Sequence, residues 1–321
     1  MRAAVVTSFD RPPRCADVPE PEPGEHQEVV DVLAAGLHRR VRSQADGSHY
    51  TSTGVLPLIP GIDGVGRRDD GSLVYFLLPP GATQGSMAER VAIDMRRAVT
   101  LPDDADPLRV AAAMNPAMSS WVALRRRVAF RQRQGVLVFG ATGSAGQLAI
   151  QVAKELGAGT VTAVGRGAAR LEGLRDVGAD VVVPLDGDPG EAAQAVGRAA
   201  AEVDVALDYL WGQPTQDAMA AVVAHRSDPA RRIDWVQIGS VAGPDITLPA
   251  AGLRRVNLRV LGSGQGSVSP DAMEAELGDL ARWIDAGAFT VGVQAVGLAD
   301  VERVWTESVP SGMRVVVTPT R

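Results

Sequence analysis

One glycine-rich stretch of the sequence has residue types and spacing that suit phosphate binding. It runs from Gly140 through Gly143 to Gly146, after the apolar run Val136–Phe139 and at the start of a segment with helical spacing, Ala145–Leu156. Glycines at these positions allow a tight turn, close approach of the backbone to a pyrophosphate, and close packing of helix on strand. The helix start then offers N–H groups and a positive dipole end to the phosphate. The predicted phosphate-binding residues are Gly140, Ala141, Thr142, Gly143, Ser144, Ala145 and Gly146; a turn without a ligand is the alternative.

The next apolar run identifies which dinucleotide is expected. Thr160–Val164 is followed by Gly165 and Arg166, where an NAD-binding unit carries an acid that accepts from the ribose 2′-hydroxyl. A carboxylate would repel a 2′-phosphate, whereas glycine leaves room for it and arginine can pair with it bidentately. Arg170 follows one helical turn later and could face the same phosphate. The sequence therefore predicts NADPH, unless both arginines are merely exposed.

Short apolar runs and turn signals fill the first hundred residues, while longer βα alternation follows. The first pattern favours a β-rich domain and the second a parallel sheet with helices on both faces. A strand–helix–strand pattern at 292–318 predicts that the chain's end returns to the first sheet. The predicted helices include Ala111–Arg127 and Ala168–Val177, the latter ended by Gly178. The predicted domains are 1–117 plus 287–321, and 118–286.

Composition narrows the class of partner. The 321 residues carry a net charge of −6, which gives no reason to expect nucleic acid or an anionic membrane as partner. No apolar stretch approaches the length of a membrane span. Cys15 is the chain's one cysteine, so an internal disulfide and a four-cysteine zinc site are excluded, and a cytoplasmic location is expected. The arginine run 125–127 is interpreted as a solvated helix face.

Several short motifs occur in one order along nearly the whole chain. They are PGIDGVG (Pro60–Gly66), GSMAE (Gly85–Glu89), NPAMSSW (Asn115–Trp121), GATGSAG (Gly140–Gly146), QIGSVAG (Gln237–Gly243) and GSGQGS (Gly262–Ser267). In this order the chain resembles the medium-chain dehydrogenase/reductase superfamily, in its zinc-independent quinone oxidoreductase-like branch. The resemblance implies an α/β fold: a Rossmann doubly wound parallel-sheet domain inserted into a GroES-like β-barrel domain, with the cofactor in the cleft between them. It also implies a homodimer, in which Leu258–Leu261 could pair with its twin.

The positions that hold zinc in metal-dependent members differ here. The resemblance places His38, Ile62 beside Asp63, and Asn115 at those positions. Ile62 cannot bind zinc and Asn115 is a poor ligand. A rebuilt site from His38, His49 and Asp63 is conceivable, since all three side chains can bind zinc. Without metal, hydrogen-bond donors or positive charge must polarise a substrate carbonyl.

The resemblance also assigns candidate site residues. Tyr50 lies where related quinone reductases carry a tyrosine near the nicotinamide, with His49 before it, so both are catalytic candidates. His38 and Tyr50 are candidate substrate contacts, and His38 stands where relatives often have asparagine. Asn115 is expected to position the nicotinamide, with capping of a helix N-terminus as the alternative.

Two late turns complete the predicted cofactor site. Each follows an apolar strand, at the sheet edge where ligands bind in such folds. Their backbone N–H and C=O groups are candidates to bind the nicotinamide carboxamide. The residues are Gly239, Ser240, Gly262, Ser263 and Gly264.

Together these features favour an NADPH-dependent oxidoreductase that reduces a quinone or an α,β-unsaturated carbonyl by hydride transfer without metal. Tyr50, with His49, would donate a hydrogen bond to the developing oxyanion, and water would supply the proton. A zinc-dependent alcohol dehydrogenase and a non-catalytic NADPH-binding or sensor protein are the alternatives.

Overall fold

The structure is a computed structural model that describes residues 1–264, 266–310 and 312–319. The strands, in chain order, are β1 (Arg2–Val5), β2 (Arg14–Asp17), β3 (Gln27–Leu37), β4 (Asp63–Arg67), β5 (Leu73–Leu77), β6 (Arg90–Asp94), β7 (Ala98–Thr100), β8 (Gly135–Phe139), β9 (Thr160–Gly165), β10 (Val181–Pro184), β11 (Val205–Asp208), β12 (Ile233–Gln237), β13 (Leu258–Gly262), β14 (Gly292–Gly297) and β15 (Met313–Thr318). The α-helices are α1 (Arg39–Ala45), α2 (Pro107–Val122), α3 (Ser144–Glu155), α4 (Ala168–Glu172), α5 (Pro189–Ala199), α6 (Gly212–His225), α7 (Ala250–Arg255), α8 (Pro270–Asp285) and α9 (Val301–Thr306).

Contacts divide the chain into two units, and the second interrupts the first in sequence. The first unit holds residues 1–115, 273–287 and 291–321, and the second holds 116–272 and 288–290. Residues 273–287, most of α8, thus belong with the first unit by their contacts. The domain bounds that the sequence predicts stay a prediction.

The second unit is built on a six-stranded parallel sheet. Its strand order is β10-β9-β8-β11-β12-β13, and every neighbouring pair is parallel. The central strands are covered on both faces, and β8 is fully buried from Val136 to Phe139, whereas the edge strand β13 is largely exposed. The chain order reverses between β8 and β11, which is the point where sheets of this kind bind ligands at the carboxyl ends of the strands. The predicted doubly wound sheet is confirmed.

The core of this unit follows from helix and strand periodicity. Leu137 and Phe139 of β8 pack in one cluster with Trp235 of β12 and with Met219 and Val222 of α6. On α3, every residue from Leu148 to Ala153 is buried, so the middle of this helix is covered on all sides.

The first unit holds a seven-stranded sheet with the path β14-β15-β3-β4-β5-β7, from which β6 branches by pairing with β3. β15 runs antiparallel to β3, with Val316 opposite Gly36. β14 and β15 thus join the sheet that β3 to β7 form, as the sequence predicts. The apolar residues of this sheet form a cluster that includes Val32, Val74 and Phe76.

Three helices differ from the sequence prediction. α4 ends at Glu172, before Gly173, so the predicted helix to Val177 is five residues long. α7 was not expected. α2 begins at Pro107, and the segment Ala123–Arg127 that follows it is a π-helical turn rather than continued α-helix. Across the described ranges, every helix is too short or too polar to cross a membrane.

A buried carboxylate organises the turn after β11. Asp208 Oδ1 accepts from the backbone N–H groups of Leu210 (2.9 Å) and Trp211 (3.0 Å). Its Oδ2 accepts from the Thr215 hydroxyl and the Trp235 indole, both at 2.8 Å. Burial raises the pKa of Asp208, while these four donors lower it. The bond to Trp211 matters because that residue has φ 54°, a left-handed conformation that a non-glycine residue adopts only when its surroundings impose it.

We expect Asp208→Ala to lower the free energy of unfolding by about 3–5 kcal/mol, because it leaves four donors without their charged acceptor. Asp176→Ala, at an exposed position of the same unit, should change it by less than about 0.5 kcal/mol. Urea denaturation followed by tryptophan fluorescence measures both. Equal stability of the two variants would contradict the role given to Asp208.

Candidate functional site

The glycine turn is held against the strand beside it. Gly140, with φ 93°, follows β8, and its N–H donates to the Val164 carbonyl at 2.9 Å. The N–H of Ala141 donates to the same oxygen at 2.8 Å. The turn is therefore anchored on the end of β9, at the carboxyl edge of the sheet.

The glycines of the turn differ in the space around them. A Cβ at Gly146 would lie 2.5 Å from the Gly140 carbonyl oxygen, so α3 can start this close to the turn only with glycine there. At Gly143 the nearest atom to a built Cβ is 3.6 Å away, so the space beside this residue stays open. The start of α3 has no side-chain cap, whereas Asp188 caps α5. An open space facing an uncapped helix start fits an anionic group such as a pyrophosphate.

The end of β9 carries the two arginines that the sequence analysis identified. Gly165 is buried, and a Cβ there would lie 2.9 Å from Thr142 Cγ2. Packing against the glycine turn therefore accounts for this glycine without any appeal to room for a phosphate. Arg166 is exposed, and so is Arg170.

The loop after Arg166 has two further contacts. A Cβ at Gly167 would lie 2.8 Å from the Arg170 Nε, so the guanidinium lies directly over this glycine. The Gly167 N–H donates to Asp186 Oδ2 at 2.7 Å. Asp186 follows β10, and the sequence analysis missed it; its position just after a parallel strand was the available signal.

The two late turns lie at the ends of β12 and β13. Gly239 is fixed by the backbone, because a Cβ there would lie 2.7 Å from the Tyr209 carbonyl oxygen. Ser240 is exposed, and Ser263 is buried with its N–H donating to the Gln237 carbonyl at 2.8 Å. The Gly264 N–H donates to the Ser267 hydroxyl at 2.8 Å. Gln265, inside the same motif, lies outside the described residues.

Arg127 holds the turn after β13. Its Nε donates to the Gly262 carbonyl and its Nη1 to the Ser267 carbonyl, both at 2.9 Å. The interpretation of this arginine run as a solvated helix face is therefore wrong for Arg127. Arg125, in the same run, lies over the Trp121 ring at 5.0 Å.

The remaining site candidates, Asn115, Tyr50, His49 and His38, belong to the first unit. Asn115 is half-buried in the interior of α2, so the alternative that it caps a helix N-terminus is wrong. Tyr50 is 72% exposed, and its ring centre lies 4.2 Å from that of His49. The structure thus brings the two catalytic candidates into contact.

His49 is held by Thr51. The Thr51 backbone N–H donates to His49 Nδ1 at 3.2 Å, and the Thr51 hydroxyl lies 3.0 Å from the same nitrogen. Arg40 Nη2 in turn donates to that hydroxyl at 2.7 Å. Burial, and then the charge of Arg40, lower the pKa of His49 to about 4, so the imidazole is neutral near pH 7.

His38 lies in a buried polar network. Its Nε2 is 3.2 Å from Asp63 Oδ1, and the Tyr75 hydroxyl donates to Asp63 Oδ2 at 2.8 Å. Burial lowers the pKa of His38 and raises that of Tyr75 well above its ordinary value. Arg314 adds a cation to this network; burial lowers its pKa to about 10, and the charge of Asp63 opposes that shift. The substrate contact proposed for His38 stays a prediction.

Metal binding can be judged from the donor set. Within 1–264, 266–310 and 312–319, no three side chains of His, Cys, Asp or Glu are grouped so as to hold a metal ion. His38 and Asp63 are paired with each other, and Asp63 also serves Tyr75.

Comparisons of sequence and fold identify proteins similar to this chain. Residues 145–282 match the family of zinc-binding dehydrogenases. The probable NADPH-dependent quinone reductase tdiC of Emericella nidulans is 32% identical over 99% of this chain and 100% of its own. The NADPH-dependent alkenal/one oxidoreductase of Arabidopsis thaliana, a chloroplastic protein, is 27% identical over 51% of this chain and 46% of its own. The quinone oxidoreductase of Thermus thermophilus, with structures that include an NADPH complex, has a TM-score of 0.78 and 27% identity over 99% of this chain and 100% of that chain.

The similarity to these relatives shows that the chain is an oxidoreductase. The chain belongs to the medium-chain dehydrogenase/reductase superfamily and is quinone oxidoreductase-like. The segment matched by the zinc-binding dehydrogenase family contains neither His38, His49 nor Asp63.

Two glycine substitutions separate packing from ligand binding. Gly146→Ala should lower the free energy of unfolding by about 1–3 kcal/mol, because the new Cβ overlaps the Gly140 carbonyl. Gly143→Ala should leave stability within about 1 kcal/mol, since the residue has φ −77° and open space, yet raise the dissociation constant of NADPH about tenfold or more. Urea denaturation and a nucleotide fluorescence titration measure the two effects. Undiminished NADPH binding by Gly143→Ala would refute the assignment of this space to the pyrophosphate.

Proposed function

We propose that this chain is an NADPH-dependent reductase that transfers a hydride to a quinone or to the β-carbon of an α,β-unsaturated carbonyl without a metal ion. The observation that carries the proposal is the end of β9, where Arg166 takes the place of an acid and Arg170 lies exposed nearby. The names of the relatives, a quinone reductase and an alkenal/one oxidoreductase, support the same reaction.

The second unit would hold the dinucleotide, which supplies a hydride when it is bound. The glycine turn and the uncapped start of α3 would bind the pyrophosphate, and Arg166 with Arg170 the 2′-phosphate. The backbone at the ends of β12 and β13 would receive the nicotinamide end. The residues proposed there are Gly239, Ser240, Gly262, Ser263 and Gly264. The resemblance gives Asn115 the role of positioning the nicotinamide.

The first unit would supply the groups that polarise the acceptor. As the hydride arrives, negative charge develops on the acceptor's oxygen, and a hydrogen-bond donor placed there lowers the barrier. The Tyr50 hydroxyl is such a donor. Neutral His49 is the second, because its Nδ1 accepts from Thr51 and its ring hydrogen is then on Nε2. Water would deliver the proton that completes the reduction.

A zinc-dependent alcohol dehydrogenase is the second candidate, favoured by the description of the matched family. His38 and Asp63 are two side chains able to bind zinc. The described residues place no third beside them. The metal-free reaction is therefore preferred.

A homodimer and a cytoplasmic location remain part of the proposal. β13 is the last strand of its sheet, and Val260 on it is exposed. An exposed sheet edge of this kind is a template for pairing with another chain. The edge supports the pairing of Leu258–Leu261 with a second copy.

Loss of the positive charge after β9 tests the cofactor. Arg166→Ala should raise the dissociation constant of NADPH about 10- to 100-fold, as expected for a hydrogen-bonded ion pair, and change that of NADH less than about twofold. Arg175→Ala is the matched control, because it removes an exposed arginine of the same unit that pairs with Glu172. Isothermal titration calorimetry measures all three proteins. Equal loss for both nucleotides, or loss for neither, would defeat the 2′-phosphate assignment.

The tyrosine donor is tested by Tyr50→Phe. The variant should reduce kcat/KM for quinone or enone reduction about tenfold or more, because one donor to the oxyanion is lost. The affinity for NADPH and the melting temperature should stay at their wild-type values, since the side chain is largely exposed. Unchanged turnover of a well-reduced acceptor would remove Tyr50 from the mechanism.

A further inference from the structure

Arg40 and Arg42 lie two residues apart on α1 and do different work. Arg42 donates to the backbone carbonyls of Val304 and Trp305, and its guanidinium lies 5.5 Å from the centre of the Trp305 ring. These contacts tie α1 to α9 within the first unit. Arg40 instead donates to the hydroxyl of Thr51, at 2.7 Å, in the turn that carries His49 and Tyr50. Its position therefore serves that turn.

The contact from Arg40 constrains which way the Thr51 hydroxyl donates. Arg40 Nη2 occupies an acceptor site on Thr51 Oγ1, and His49 Nδ1 lies 3.0 Å from the same oxygen. A guanidinium has no acceptor, so the Thr51 hydrogen cannot point to Arg40, and His49 Nδ1 lies within its reach. The chain of donation runs from Arg40 to Thr51 to His49.

The tautomer of His49 follows from this chain. Both the Thr51 hydroxyl and the Thr51 backbone N–H, at 3.2 Å, meet Nδ1. A backbone N–H can only donate, so Nδ1 must be the acceptor, and a neutral imidazole then carries its hydrogen on Nε2. Without these two donors, a neutral imidazole would populate both the Nδ1–H and the Nε2–H tautomers.

We propose that Arg40 is a positioning residue that acts through Thr51 to fix His49 as the Nε2–H tautomer, which donates to the acceptor's oxygen beside the Tyr50 hydroxyl. This inference rests on the proposed function. It adds Arg40 and Thr51 to the groups that the reaction needs, and neither residue was identified from the sequence. We refer to these three residues, Arg40, Thr51 and His49, as the relay.

The electrostatics of the relay favour the same state. Protonated His49 would have hydrogens on both nitrogens and would lose its bonds from Thr51. Burial and the charge of Arg40 both act against that protonation. The relay therefore presents a neutral donor and a hydroxyl side by side.

The test combines tautomer detection with kinetics. Long-range ¹H–¹⁵N spectra of the histidine side chains at neutral pH report which ring nitrogen carries the hydrogen, and His49→Gln assigns the signal. We expect the wild-type chain to show the Nε2–H pattern. Arg40→Gln and Thr51→Val should shift it toward a mixture, because only the 3.2 Å bond from the Thr51 backbone N–H then holds Nδ1 as the acceptor. Thr51→Ser, which keeps the hydroxyl, should restore the wild-type pattern. Arg39→Gln is the matched control, because it removes an exposed arginine next to Arg40.

The kinetic arm asks whether Arg40 acts through His49. Arg40→Gln and Thr51→Val should each lower kcat for acceptor reduction about tenfold, the loss expected for one well-placed hydrogen bond, with the dissociation constant of NADPH within about twofold. Arg39→Gln should match the wild type. In the His49→Gln background, Arg40→Gln should not lower kcat further, because the imidazole through which Arg40 acts is already absent.

Each outcome decides the inference. An Nδ1–H pattern in the wild-type chain, or a pattern that neither Arg40→Gln nor Thr51→Val changes, overturns it. A full additional loss from Arg40→Gln in the His49→Gln background overturns the action through His49. If Arg40→Gln fails to fold, Thr51→Val decides. A relay that behaves as expected in a wild-type chain that reduces no acceptor would refute the proposed function and leave the tautomer assignment standing.

Discussion

The close approach of α3 to the turn after β8 is the constraint on which the second unit depends. A Cβ atom at Gly146, in the first turn of α3, would lie 2.5 Å from the Gly140 carbonyl oxygen. This position therefore admits no side chain. That approach brings an uncapped helix start to the carboxyl edge of the sheet, next to the reversal of strand order between β8 and β11. Phosphate binding at this place needs no special side chain, because backbone N–H groups and the helix dipole provide it.

Much of this architecture could be predicted from the sequence because apolar periodicity reports burial directly. β8 and β9 are buried along nearly their whole length and form mainly apolar runs, which is why they were located within a residue or two. Helix ends were harder to locate. α4 ends before Gly173. The apolar pattern continues to Val177 because Leu174 is buried although it lies in the turn after the helix.

Polar contacts were the part that the sequence could not reveal. Asp208 binds Trp235, 27 residues away, and no local pattern marks that pairing. Arg127 was grouped with exposed arginines since its neighbours carry the same charge, yet it donates to the carbonyls of Gly262 and Ser267. Gly165 was noticed correctly, but its packing on Thr142 accounts for the glycine. Patterns of residue type indicate where a charge lies, and the fold determines what it binds.

The central claim is that this chain binds NADPH in preference to NADH and passes its hydride on without metal. The most direct measurement is a single-turnover experiment on chain dialysed against a chelator and shown by elemental analysis to hold no zinc. The account predicts that one equivalent of NADPH binds about 100-fold more tightly than NADH, as two charge-assisted contacts to a phosphate would give, and is oxidised when a quinone or an enone is added. Equal affinity for the two nucleotides, or oxidation that appears only when zinc is restored, would contradict it.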